Sequence, residues 1–109
     1  MDTRELEKKL QPLKERLDAE NIFVKCLIIK ESIEGFARAP FYVDVCIPSV
    51  TVENYDTILS RVYDIFGEIT DDITRKSVFA LCVVNECQNE RHCRPVNEPE
   101  VETVALAFT

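Results

Sequence analysis

The residues best suited to chemistry by type are five cysteines and one histidine, and four of these six fall between positions 82 and 93. Thiolate and neutral imidazole are both zinc ligands, so Cys82, Cys87, His92 and Cys93 form a candidate metal set. Zinc sites usually open with two ligands about two to four residues apart, whereas five residues separate Cys87 from Cys93. The adjacent side chains of His92 and Cys93 also cannot both point inward without strain. We therefore predict no metal site and no cofactor here.

The same segment offers a thiol beside a base, as in nucleophilic catalysis, because Cys87 and Cys93 flank His92. The sequence there has no glycine-rich turn or helix N-terminus to stabilise an oxyanion, so the constellation is incomplete and we predict no catalytic residue. Arg91, His92 and Arg94 nevertheless form a local positive cluster in an acidic protein. If an anionic group or a partner binds in this segment, these three residues are predicted to make the contact.

Asp44 is the one charge that interrupts an otherwise apolar, alternating segment, and it shares its side of that segment with Tyr42 and Cys46. A carboxylate on a covered sheet face needs a partner, and Lys25 is the predicted one. An ion pair that stabilises the fold is favoured over a catalytic role. Tyr42, Asp44 and Cys46 are the candidate binding residues if this face holds a ligand.

Residues 26–47 partly resemble the minimal nucleotidyltransferase pattern, in which a strand ending in Gly-Ser is followed by Arg-Gly and by a strand with two aspartates. Glu31-Ser32 stands in place of Gly-Ser, Glu34-Gly35 in place of Arg-Gly, and Asp44 is the single carboxylate kept. Both the phosphate nest and the metal pair of that family are thus missing. The resemblance implies a degenerate nucleotidyltransferase-like domain, which stays an alternative.

Two amphipathic helices are predicted to position these residues. The first covers residues 3–20, with Asp2 and Glu5 at its start and a kink caused by Pro12. The second follows Pro48 with Thr51 as cap and ends at Gly67. The stripes that face the sheet consist of Leu6, Leu10, Leu13 and Leu17 in the first helix, and of Tyr55, Ile58, Leu59, Val62, Ile65 and Phe66 in the second.

Four strands are predicted within residues 21–32, 41–47, 77–86 and 101–108. Asp71-Asp72 is interpreted as a turn, and residues 87–99 as a long, exposed polar loop.

This α-β-β-α-β-β order predicts a single α+β domain over residues 1–109, a two-layer sandwich. We expect a four-stranded, largely antiparallel sheet with both helices on one face. The order suits a permuted ferredoxin-like sheet, in which the last strand inserts between strands two and three; a plain meander order is the alternative.

The composition of the chain limits the classes of function that are expected. Thirteen basic against twenty acidic residues give a net charge of −7, which opposes binding to nucleic acid or to an anionic membrane surface. No apolar run is long enough for a membrane span and no signal peptide is evident, so a cytoplasmic location with reduced thiols is expected.

Strands one and three are apolar on both sides, and two helices cover only one sheet face. We therefore expect a non-catalytic module that binds a protein partner and forms a homodimer through the second face. A small-molecule or enzymatic site around Asp44 is the alternative.

Overall fold

The computed structural model describes residues 2–31 and 39–97. The elements in chain order are α1 (Thr3–Lys9), α2 (Gln11–Ala19), β1 (Cys26–Glu31), β2 (Phe41–Cys46), α3 (Tyr55–Ile69), α4 (Asp72–Ser77), β3 (Val78–Asn85) and β4 (Glu90–Pro95). The four strands form one sheet in the order β1-β2-β3-β4.

The sheet is mixed. β1 pairs antiparallel with β2, β2 pairs parallel with β3, and β3 pairs antiparallel with β4. The parallel pair arises because α3 and α4 carry the chain back to the starting end of β2, which is what a parallel neighbour requires. Since β2 pairs directly with β3, the insertion of a last strand between them is wrong, and the parallel β2–β3 pair also departs from a plain meander. The predicted strand at residues 101–108 lies outside the described residues.

The first predicted helix is two helices that meet at Leu10, two residues before Pro12, rather than one kinked helix. α1 ends with Leu10 as its C-cap, and α2 starts immediately afterwards with Pro12 in its first turn, where the missing N–H costs nothing. At the other end of α1, Asp2 accepts a hydrogen bond from the Glu5 backbone N–H at 2.9 Å. All four leucines of the stripe are fully buried, so the side of these helices that packs on the sheet was predicted correctly.

α3 confirms the second helix, but it begins after Asn54 rather than Thr51 as N-cap and extends beyond its predicted end. Gly67 lies inside the helix, which ends with Thr70 as C-cap. The next segment is also helical: Asp71 caps α4 by accepting a hydrogen bond from the Thr74 N–H at 2.7 Å. The predicted turn at Asp71-Asp72 is thus a helix start, for which aspartate is equally suited.

β4 overturns the predicted polar loop. Residues 90–95 pair with β3, and only the tight turn between Asn85 and Glu90 remains as a connection. The strand was missed because four of its six residues, Glu90, Arg91, His92 and Arg94, are charged or titratable, so it shows no apolar alternation. On an edge strand such residues are ordinary, since one side of the strand faces water.

The core lies between the helices and one face of the sheet, so the α+β two-layer arrangement is confirmed. We call this the helix face: it presents Phe41, Val43 and Val45 from β2 together with Leu81 and Val83 from β3 to the helix stripes. None of the described helices is long and apolar enough to cross a membrane.

Candidate functional site on the second sheet face

The other side of the sheet, the second face, is built from three rows of residues paired across all four strands. From one end to the other they are Cys26–Cys46–Val84–Arg91, Ile28–Asp44–Cys82–Cys93 and Lys30–Tyr42–Ala80–Pro95. No residue of these rows belongs to the hydrophobic core against the helices. Of the predicted site residues, Tyr42, Asp44, Cys46 and Arg91 are therefore on one surface.

Asp44 is at the centre of this face and is only 3% exposed. Arg91 donates to its Oδ1 through Nε at 3.2 Å and through Nη2 at 3.0 Å. Lys30 Nζ lies 3.3 Å from Oδ2. Lys25, the predicted partner, instead pairs with Glu86 at 3.0 Å. The carboxylate is thus held by cations from both edge strands, which confirms the predicted ion pair and corrects its members.

This arrangement also bears on the nucleotidyltransferase alternative. In that pattern the kept aspartate would hold a metal ion, whereas both oxygens of Asp44 here face a side-chain cation. The Arg-Gly counterpart, Glu34-Gly35, and Ser32 lie outside the described residues.

The predicted positive cluster of Arg91, His92 and Arg94 does not converge. Successive side chains of a strand point to opposite faces, so His92 and Arg94 project onto the helix face while Arg91 projects onto the second face. The His92 ring stacks on Tyr55 with centroids 3.9 Å apart. Arg94 donates to Ser60 Oγ at 3.2 Å and lies over the Tyr63 ring. Both residues hold β4 against α3, so the three side chains do not form one cluster.

Cys82 and Cys93 are register partners on neighbouring strands, and they form a disulfide. The prediction that all thiols are free is therefore wrong for this pair. It failed because Cys93 was assigned to a loop, where nothing would place it opposite Cys82. Cys26, Cys46 and Cys87 are free.

Two of the free thiols meet Glu86 at one end of the second face. Cys26 and Cys46 are register partners, and Cys46 Sγ donates to Glu86 Oε1 at 3.6 Å. Burial, reinforced by the neighbouring Cys26 thiol and the Glu86 carboxylate, raises the pKa of Cys46 to about 12. The hydrogen bond from Lys25 lowers the pKa of Glu86, so this carboxyl is ionised at neutral pH.

A cleft of about 270 Å³ runs from the ion pairs of Asp44 to the thiol cluster of Cys26, Cys46 and Glu86. Its lining includes Lys30, Asp44 and Arg91 from the ion pairs, and Cys46 and Glu86 from the thiol end. Apolar side chains of Ile28 and Val84 form the rest of its floor together with polar residues of the β3–β4 turn. The cleft thus combines apolar contact area with a few polar groups, which is the usual composition of a binding surface.

Thiol labelling tests this assignment of the cysteines. We expect native protein to react first at Cys87, which is exposed, and last at Cys46, whose thiolate fraction at pH 8 is on the order of 10⁻⁴. Because its pKa is raised, labelling of Cys46 should accelerate about tenfold for each pH unit between pH 8 and pH 10. Mass spectrometry after alkylation measures each site. Modification of Cys82 or Cys93 without prior reduction would contradict the disulfide.

Comparisons with known proteins add no relative. No family model matches the chain, and no curated protein or solved structure shows significant similarity to it.

Proposed function

We propose that this protein is a non-catalytic binding module that docks a protein partner on the β1 side of its second face, and that a second copy of the chain is such a partner. One observation carries the proposal: Ile28, at the middle of an edge strand, is 38% exposed on a face that lies outside the helix-packed core. Half-buried Cys26 and Tyr42 lie on either side of it, and half-buried Val84 lines the same cleft. A partly exposed apolar centre with a charged rim is the anatomy of a protein interface.

The charges around this centre favour self-association. Lys30 and Glu86 are each about half exposed and stand at opposite ends of the face. In a two-fold interface the same patch meets itself, so a rotation that reverses the strand direction sets Lys30 of one copy against Glu86 of the other. Asp44 has no free oxygen to act as a base, because Lys30 and Arg91 engage both. This supports a binding role over an enzymatic one.

Light scattering at micromolar concentration tests the proposal. The wild-type chain should give twice the monomer mass of 12.5 kDa, and Ile28→Asp should give the monomer mass, because it places a charge at the centre of the interface. Val52→Asp is the matched control. Val52 is 63% exposed just before α3 and belongs neither to the three rows of the second face nor to the lining of its cleft, so this variant should remain dimeric. A monomeric wild-type protein would contradict the proposal.

A small-molecule site is the second candidate, and the cleft beside Asp44 favours it. Arg91 is half exposed there and keeps donors beyond those it gives to Asp44. A carboxylate- or phosphate-bearing compound that raises the Tm of the wild-type protein and leaves that of Arg91→Met unchanged would favour this candidate over docking.

A further inference from the structure

The thiol cluster at one end of the second face has the composition of a metal site. The sulfurs of Cys26 and Cys46 and a carboxylate oxygen of Glu86 all lie within 4.8 Å of one another. They come from three elements that the sheet brings together: β1, β2 and the turn after β3. Thiolates select borderline and soft ions such as Zn²⁺, and carboxylates also bind zinc.

The spacing of the donor atoms matches tetrahedral zinc. With Zn–S bonds of about 2.3 Å and Zn–O bonds of about 2.0 Å, tetrahedral angles place a sulfur about 3.5 Å from an oxygen and two sulfurs about 3.8 Å apart. Cys46 Sγ and Glu86 Oε1 are already 3.6 Å apart. An ion placed between these two atoms therefore needs little change in their separation, and the Cys26 sulfur lies within 4.8 Å of both.

The carboxylate is also held in position. Its Oε1 faces Cys46, while its Oε2 accepts a hydrogen bond from Lys25 Nζ at 3.0 Å. The turn that carries Glu86 is fixed by buried Asn85, which donates to the carbonyls of Pro48 and Val50 and accepts from the Cys87 N–H. Support of this kind, from groups behind the ligands, is typical of metal sites.

Charge balance is favourable as well. Two thiolates and one carboxylate around Zn²⁺ leave a net charge of −1, and the ammonium of Lys25 offsets it. Binding releases one proton from each thiol, so the ion supplies the positive charge that a buried thiolate otherwise lacks.

We propose that Cys26, Cys46 and Glu86 bind one Zn²⁺ ion, leaving a fourth position open to water or to a partner's side chain. The proposal does not require the docking function, because all three ligands lie within one copy of the chain, although Cys26 and Glu86 also lie on the proposed docking surface. It would tie the edge strand β1 to the β3–β4 turn. The alternative for these two cysteines is a second cross-strand disulfide between Cys26 and Cys46, which would remove both thiolates.

The test is a Zn²⁺ titration of chelator-treated full-length protein with its Cys82–Cys93 disulfide intact, read by competition with a chromophoric chelator. We expect one equivalent of Zn²⁺ to bind with release of protons. Cys26→Ser, Cys46→Ser and Glu86→Gln should each weaken binding at least tenfold. Substitution of Co²⁺ should give thiolate-to-cobalt charge-transfer absorption and the visible bands of a tetrahedral ion.

Cys87→Ser is the matched control, since it removes a neighbouring exposed thiol outside the three-atom cluster. It should keep the stoichiometry and change the affinity by less than about threefold. The circular dichroism spectrum of each variant identifies any that fail to fold, and Glu86→Gln preserves size and shape. The proposal would be overturned if the protein bound no Zn²⁺, or if only Cys87→Ser abolished binding. It would also be overturned if Cys26 and Cys46 were unreactive and the mass were two hydrogens below that of the chain with the Cys82–Cys93 disulfide alone.

Discussion

Replacing Leu13 with Ala should lower the free energy of unfolding by ~2–5 kcal/mol, the range for truncating a fully buried leucine. Leu13 is fully buried on α2, in the middle of the leucine stripe, and it belongs to the core between helices and sheet. Leu59 occupies the corresponding position on α3 and should behave alike. The free energy of unfolding of a folded protein is about 5–15 kcal/mol in total, so each substitution removes a large share of the stability.

Urea titration followed by circular dichroism measures this loss. Ile73→Ala is the control: Ile73 lies on α4 and is 73% exposed, so its truncation should cost less than about 0.5 kcal/mol. A loss below about 1 kcal/mol for Leu13→Ala, with the control unchanged, would mean that α2 packs on the sheet in another orientation.

The helical half of this fold was predictable because its signals are local. Four leucines at intervals of four, three and four define a stripe by themselves, and Pro12 defines the break within it. The whole stripe spans only about three helical turns. The buried faces of α2 and α3 could therefore be read without knowing what they pack against.

The candidate site was only partly predictable because it depends on register. The alternation in β2 placed Asp44 beside Tyr42 and Cys46, but it could not choose Lys30 and Arg91 over Lys25 as the partners. That choice requires the register of all four strands, because Lys30 lies on β1 beside β2 whereas Arg91 lies on β4, beyond β3. A contact between residues 47 positions apart leaves no mark in a single sequence. The Cys82–Cys93 disulfide and the Cys26–Cys46 pair were missed for the same reason, since spacing rules for cysteines describe ligands that are close in sequence.

Breaking the ion pairs of Asp44 is expected to cause the second large loss of stability. Arg91→Met should lower the free energy of unfolding by roughly 3 kcal/mol, near the lower end of the range for removing one partner of a buried ion pair. Methionine keeps the aliphatic part of the arginine but supplies no donor. Asp44 then remains buried with Lys30 as its single cation, and that side chain is more than half exposed, so it compensates only in part. Urea titration again gives the measurement.

A double-mutant cycle separates the charge from the packing. In an Asp44→Asn background the carboxylate is absent, so Arg91→Met should cost less than about 1 kcal/mol, and the difference between the two backgrounds is the coupling energy. Arg75→Met is the surface control: Arg75 pairs with exposed Asp72 at 3.1 Å, and such pairs contribute about 0–1 kcal/mol. An equal loss for Arg91→Met with and without the Asp44 carboxylate would show that Arg91 stabilises β4 by packing alone. Asp44 would then need only Lys30 to be tolerated inside the second face.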